Sequence, residues 1–169
     1  MFSINRANGG ALTASKSRLL ASLALGGVLL MGTTGCAMLS TQATTLPYSP
    51  ADGVNVPDSG PLLVRNALLV TDEEGEDANF LAAIVNPTDE SQTLTLEFGE
   101  EDPITEEVRV AANTTVSLGV TDDALLIKGL DTPAGADVLV YFQSGDSEGT
   151  EVAVPVLDGT LDYLTEFVP

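Results

Sequence analysis

Short runs of alternating apolar and polar residues succeed one another from Leu62 onward. Leu94, Leu96 and Phe98 alternate with Thr93, Thr95 and Glu97, the period of two that turns one side of a strand to a core and the other to water. Val108 and Val110 flank Arg109, and Val116, Leu118 and Val120 keep the same period. Leu62, Val64, Leu68 and Val70 share one parity, broken at Asn66. Residues 80–85 are apolar throughout, which predicts a strand buried on both faces. Residues 138–142 and 152–156 add two more strands, and Pro155, lacking a backbone donor, predicts an edge position for the second. Turn formers separate the runs: Glu74-Gly75, Asn86-Pro87, Asp102-Pro103, Thr132-Pro133, Gly145-Asp146 and Asp158-Gly159. Leu161, Leu164 and Phe167 fit either one face of a short final helix or a packed tail. The pattern predicts an all-β domain, an antiparallel Greek-key β-sandwich of cupredoxin or immunoglobulin type, over residues 62–169.

The N-terminal part has another texture. Its first 51 residues contain no Asp or Glu, while Arg6, Lys16 and Arg18 make its head basic. An apolar run over residues 19–31 then leads into Gly32-Thr33-Thr34-Gly35-Cys36. As a helix that run measures about 20 Å, too short for a permanent span and suited to an export signal. Residues 1–35 therefore read as a lipoprotein signal peptide with a helical apolar stretch. Thr33, Thr34 and Gly35 form the signal peptidase II recognition site, with Thr33 standing where an aliphatic residue is usual. Cys36, the single cysteine of the chain, becomes the lipidated residue. Two or more acyl chains there make a stable anchor, at about 0.8 kcal/mol per buried methylene. Residues 36–61 comprise this cysteine, a small-residue tether and a Pro-rich entry containing Pro47, Pro50, Pro57 and Pro61, with Tyr48 expected to pack against the sheet. The expected address is the extracytoplasmic face of the cell membrane.

Charge narrows the partners. After Cys36 only Arg65, Arg109 and Lys128 oppose all 25 acidic residues, a net charge of −22. Phosphate backbones repel such a surface, so nucleic acid is excluded as a partner. Anionic head groups repel it as well, leaving the lipid anchor as the link to the membrane. The charge serves solubility, or meets a basic envelope protein.

Chemistry is sparse. The chain has no histidine, which removes Ser-His-Asp triads, His-based zinc sites and the commonest general base. With the one thiol acylated, no cysteine nucleophile remains. Phosphate-binding and dinucleotide-binding glycine motifs are absent, and Asn86-Pro87-Thr88 reads as a turn. Paired carboxylates abound in so acidic a chain, so their presence identifies no hydrolase. The expectation is a non-enzymatic protein without a cofactor, acting as a binding or accessory module. A metal-handling alternative rests on Asp72, Glu73, Glu74, Glu76 and Asp77 around Gly75, oxygen donors of the kind calcium takes, although their spacing departs from the EF-hand loop. Otherwise they form a solvated loop. Arg65 and Asn66, the polar break in the first strand, are a candidate contact surface, with Arg65 expected to pair with a carboxylate.

These pieces together resemble a known group. The signal sequence, the Thr-rich tether, Leu46-Pro47-Tyr48-Ser49-Pro50-Ala51-Asp52-Gly53-Val54-Asn55, then Arg65-Asn66 and Ala83-Ile84-Val85-Asn86 are similar to small actinobacterial LpqE-like lipoproteins. That group is distantly related to the periplasmic copper chaperone (PCuAC-like) family. The resemblance implies a cupredoxin-like sandwich. It does not bring the copper ligands, because the family holds Cu(I) with Met and His side chains, so copper handling stays an alternative only where a partner protein supplies the soft ligands. Here Met38 is the only methionine after Cys36, and histidine is missing.

Overall fold

The computed structural model describes residues 51–57 and 59–169. The signal segment with Thr33, Thr34 and Gly35, the lipidation site Cys36, the tether and Tyr48 lie outside the described residues. Among those described, no helix is long and apolar enough to cross a membrane.

Eight strands form the body: β1 Leu63–Thr71, β2 Ala78–Val85, β3 Gln92–Phe98, β4 Ile104–Val110, β5 Thr115–Leu118, β6 Leu125–Ile127, β7 Asp137–Ser144 and β8 Thr150–Leu157. A single 3-10 turn, Thr165–Phe167, follows. The domain is all-β, as the alternation predicts. Two details of the alternation differ. The short strand β6 has no clear period of its own, and β5 ends at Leu118. Gly119 turns the chain there with φ of +84°, leaving Val120 out of the strand and 84% exposed.

The strands make one mixed sheet in the order β4-β3-β7-β8-β1-β2-β5, with β6 also paired to β2. It folds over itself in a sandwich-like way: Phe80 of β2 meets Phe98 of β3 edge-on at 5.5 Å and Phe142 of β7 at 6.3 Å. Both separations suit attractive aromatic geometry. The pairings are antiparallel except one, since β8 runs parallel to β1 through Leu69↔Val156 and Val70↔Leu157. The expectation of a purely antiparallel sheet is corrected accordingly.

Strand β8 also corrects the edge assignment drawn from Pro155. It is internal, pairing β7 along Thr150 to Pro155 before it reaches β1. Val156 directs its N–H to Ala136 and accepts from Gly135 at 2.9 and 2.8 Å, so alternation points the missing donor of Pro155 toward β1. Pairing with β1 has not begun at that residue. The proline costs no ladder bond there.

A bulge in β1 sets which residues face which core. Arg65 opposes Ala83 and Leu68 opposes Leu81, so three steps along β1 match two along β2. Asn66 takes the extra step in a left-handed conformation with φ of +51°, which Asn tolerates better than most residues. The shared parity of Leu62, Val64, Leu68 and Val70 is thereby split. Leu62 and Val64 join the main core with Leu69, Phe80, Ile84, Leu94, Leu96 and Phe142. Leu68 and Val70 emerge on the opposite face, where they cluster with Leu81 and Leu164.

The folded body begins before Leu62. Val54 and Ala67 exchange backbone bonds of 2.9 and 2.8 Å, and Val56 donates to Val64 at 3.1 Å. This entry segment fills the side of β1 that β8 reaches only at Leu69. The hydroxyl of Ser144 locks it further, accepting from Leu62 N at 3.2 Å and donating to Ser59 O at 2.6 Å, in a fully buried position.

Candidate functional site

Strand β2 is buried on its inner face and, at Leu81 alone, on its outer face, where Asn79, Ala83 and Val85 are only half-buried; the cover over Leu81 comes from far away in sequence. Its inner face carries Phe80, Ala82 and Ile84 into the main core. Its outer face presents Leu81, beside Leu68 and Val70 of β1, and the C-terminal segment packs over these. Leu164 is inserted to 3% exposure, with Phe167 and Val168 beside it. Backbone bonds from Leu164 N to Leu161 O and from Phe167 N to Leu164 O coil the segment. The Asn79 side chain ties it to the sheet by donating to Phe167 O at 2.9 Å. Of the two forms expected for this stretch, it is a packed tail with one short 3-10 turn.

The tail covers the face incompletely. Between it and β5 runs a groove of about 470 Å³, floored by Leu68, Leu81, Leu118, Leu164 and Phe167. Its volume falls within the range of small-ligand sites. Asp52, Tyr163 and Glu166 stand at its polar margin, together with Asn66 and Ser117, and no Lys or Arg lines it among the described residues. The Tyr163 hydroxyl donates to Asp52 Oδ2 at 2.8 Å, so the entry segment and the tail are latched at the rim. That bond to the Asp52 carboxylate, then desolvation, raise the Tyr163 phenol above its ordinary pKa. Tyr163 thus stays a neutral donor through the physiological range. A second hollow of about 310 Å³ adjoins the groove at Gly119 and Val120, with Asp122, Asp123 and Glu166 on its walls.

Arg65 and Asn66 serve the fold. The Arg65 guanidinium donates to the carbonyls of Val64 at 2.8 Å and Val56 at 3.2 Å, in place of the expected carboxylate. Asn66 accepts from Gly53 N at 2.8 Å through Oδ1 and donates its own N–H to Asn55 Oδ1 at 3.1 Å. Both residues therefore stitch the entry segment to the bulge, and only Asn66 reaches the groove margin.

The acidic stretch forms the β1–β2 turn. Asp72 Oδ1 accepts from Gly75 N at 2.8 Å, and Asp77 Oδ1 accepts from Gly129 N at 2.9 Å. Two of the five carboxylates are therefore engaged with backbone, while Glu73, Glu74 and Glu76 project into solvent. Among the described residues no three Asp or Glu side chains converge as metal ligands would. A shallow cleft of about 430 Å³ lies beside Asp72, Glu73, Glu74 and Asp158. There the Thr160 hydroxyl and N–H hold the Asp158 carboxyl below its usual pKa.

Compared with known proteins, the chain matches no family model and no curated protein.

Among the groove residues, sequence reasoning names Leu68, Leu118, Leu164 and Phe167 only as packing residues and misses the roles of Asp52, Leu81 and Tyr163. The one available signal is the unbroken apolar run of residues 80–85. A strand buried on both sides needs a cover, and the apolar residues after Asp158 are the candidates for it.

Proposed function

We propose that this chain is an exported lipoprotein, held by acyl chains on Cys36 at the extracytoplasmic face of the cell membrane. It acts without catalysis as a binding module, taking a segment of an envelope partner into the groove beside the C-terminal tail. The observation that carries this reading is the groove itself, an apolar floor whose margin holds Asp52 and Glu166 and no cation. Apolar area buried by an occupant supplies the attraction. The basic head, the apolar run and the small residues before Cys36 support export and lipidation. A chain without histidine, its one thiol acylated, supports a non-enzymatic role. Kinship with LpqE-like lipoproteins is part of the same proposal, and the all-β body is compatible with it.

A photo-crosslinking residue in place of Val120, expressed in intact cells, tests the binding role, with the same residue in place of Glu107 on β4 as control. Discrete adducts at position 120 and none at 107 are expected. The absence of adducts at 120, or identical patterns at both positions, overturns the reading. The anchor is tested by fatty-acid labelling, which should mark the wild type and spare Cys36→Ser; an unlabelled wild type means secretion without an anchor.

A further inference from the structure

The geometry points to a basic peptide segment as the occupant of the groove, one that places a large apolar side chain on the floor and a Lys or Arg a few residues away in the acidic hollow. This rests on the binding role proposed above and names the ligand class. The two hollows adjoin, both lined by Gly119, Val120, Glu166 and Phe167. At one end the half-buried Phe167 and the exposed Val120 offer apolar surface above the buried Leu68, Leu81 and Leu164, and the other end is walled by Asp122 and Asp123. A ligand spanning both must be apolar at one end and cationic at the other.

Val120 marks the junction. It is 84% exposed and held out by the Gly119 turn, which the Asp122 side chain staples by accepting from Ser117 N and Thr121 Oγ1, each at 2.9 Å. Asp122 is partly engaged in this way, so Asp123 and Glu166 are the carboxylates left for a cation. The same turn occupies the outer edge of β5, because Ser117 O accepts from the N–H groups of Val120, Thr121 and Asp122. An incoming peptide therefore gains no strand pairing there, and recognition falls to its side chains.

Charge rejects the other occupants. A second copy of this chain brings a net charge of −22 after Cys36 against a margin already acidic. A phospholipid head group presents phosphate to carboxylates. A polyamine satisfies the acidic end and leaves the apolar side chains of Val120 and Phe167 uncovered. A basic amphipathic peptide fits both ends.

The test uses the full chain in zwitterionic lipid nanodiscs, with empty nanodiscs as blank, and fluorescence anisotropy of labelled synthetic dodecapeptides. One peptide carries Leu and Lys in alternation, a second replaces each Lys by Glu, and a third replaces each Leu by Ser. Only the Leu-Lys peptide should bind, with affinity falling about tenfold or more between low and high salt as surface charges are screened. Glu166→Gln with Asp123→Asn should weaken it by about tenfold, the scale of one lost charge-assisted contact. Val120→Ser should weaken it as well, and both variants alter only exposed side chains. Equal binding of the Leu-Lys and Leu-Glu peptides, or competition by spermine at the same concentration as the peptide, overturns the basic-peptide assignment. If an apolar peptide binds in a Val120-dependent manner regardless of charge, the binding role survives and this inference falls. If no peptide binds and position 120 gives no adduct in cells, both fall.

Discussion

Asn86 follows β2 and is 1% exposed, yet its side chain reaches five hydrogen-bond partners, one of its two amide hydrogens being shared between two carbonyls. Nδ2 donates to Glu90 O at 2.8 Å, Ala111 O at 3.0 Å and Val110 O at 3.1 Å. Oδ1 accepts from Thr88 N at 3.0 Å and from the Thr88 hydroxyl at 2.7 Å. One amide thus joins the end of β2 to the turn after it and to the exit of β4. In Asn86→Ala the Val110 carbonyl, which β3 also pairs through Gln92, loses this second partner together with the other side-chain bonds, at about 1 kcal/mol for each hydrogen bond removed. The other bonds lie nearer water, which recovers part of their worth, so the sum is about 3–5 kcal/mol. For a body of this size that corresponds to a fall in Tm of about 10–20 °C. Differential scanning fluorimetry of the full chain reads it. Asn86→Asp is the informative companion, since it keeps the acceptor for Thr88 and sets carboxylate oxygens against three carbonyls. The introduced carboxyl has a folded pKa raised above its unfolded value near 4. Its deficit relative to wild type is therefore smallest in acid and grows as pH rises through the folded pKa. A loss below about 3 °C for Asn86→Ala, less than 1 kcal/mol on the same scale, refutes the idea that this amide holds the two halves together.

Two further expectations concern the groove. NMR titration of Tyr163 with labelled tyrosine should give a midpoint above the ordinary phenol value near 10, and Asp52→Asn should bring it down. Because the folded pKa is raised, the stabilisation from this latch is complete below the unfolded value and is lost as pH climbs through the folded one; an unchanged midpoint in Asp52→Asn refutes the latch. Gly119→Ala puts a Cβ 2.8 Å from Leu81 Cδ2 at φ of +84°, a strain of about 1–3 kcal/mol. It should lower Tm by several degrees and weaken the Leu-Lys peptide, whereas wild-type behaviour in both assays removes the turn from the argument.

The strands were legible where packing is local. Leu94, Leu96 and Phe98 alternate because each neighbour of the same parity meets the same core, and the structure buries all three. Parity failed in β1, where one extra residue at Asn66 swaps the faces of everything after it; a bulge leaves no mark in a hydrophobic pattern beyond a tolerant residue. Pro155 misled for a related reason. It reports a missing donor on one side of a strand, and that side lay open for just one residue. The candidate site was least legible. Asp52 and Tyr163 touch across almost the whole length of the body's sequence, and Arg65 binds carbonyls of its own strand and of the entry segment in a chain rich in carboxylates. Such choices depend on which backbone groups are left unpaired after folding, which a linear pattern does not express.

Strand β8 is the one strand shared by both halves of the sandwich, and it is also the last of the eight to leave a ribosome. Before it emerges, the β1–β2 and β3–β4 hairpins can form from near neighbours, but nothing bonds β7 to β1. Closing Leu69 onto Val156 needs nearly the entire body and carries a correspondingly large loop-closure cost. The body thus stays open while it is being made. In the exported chain proposed above, a closing strand placed last leaves the body open until the final strand has followed the other seven.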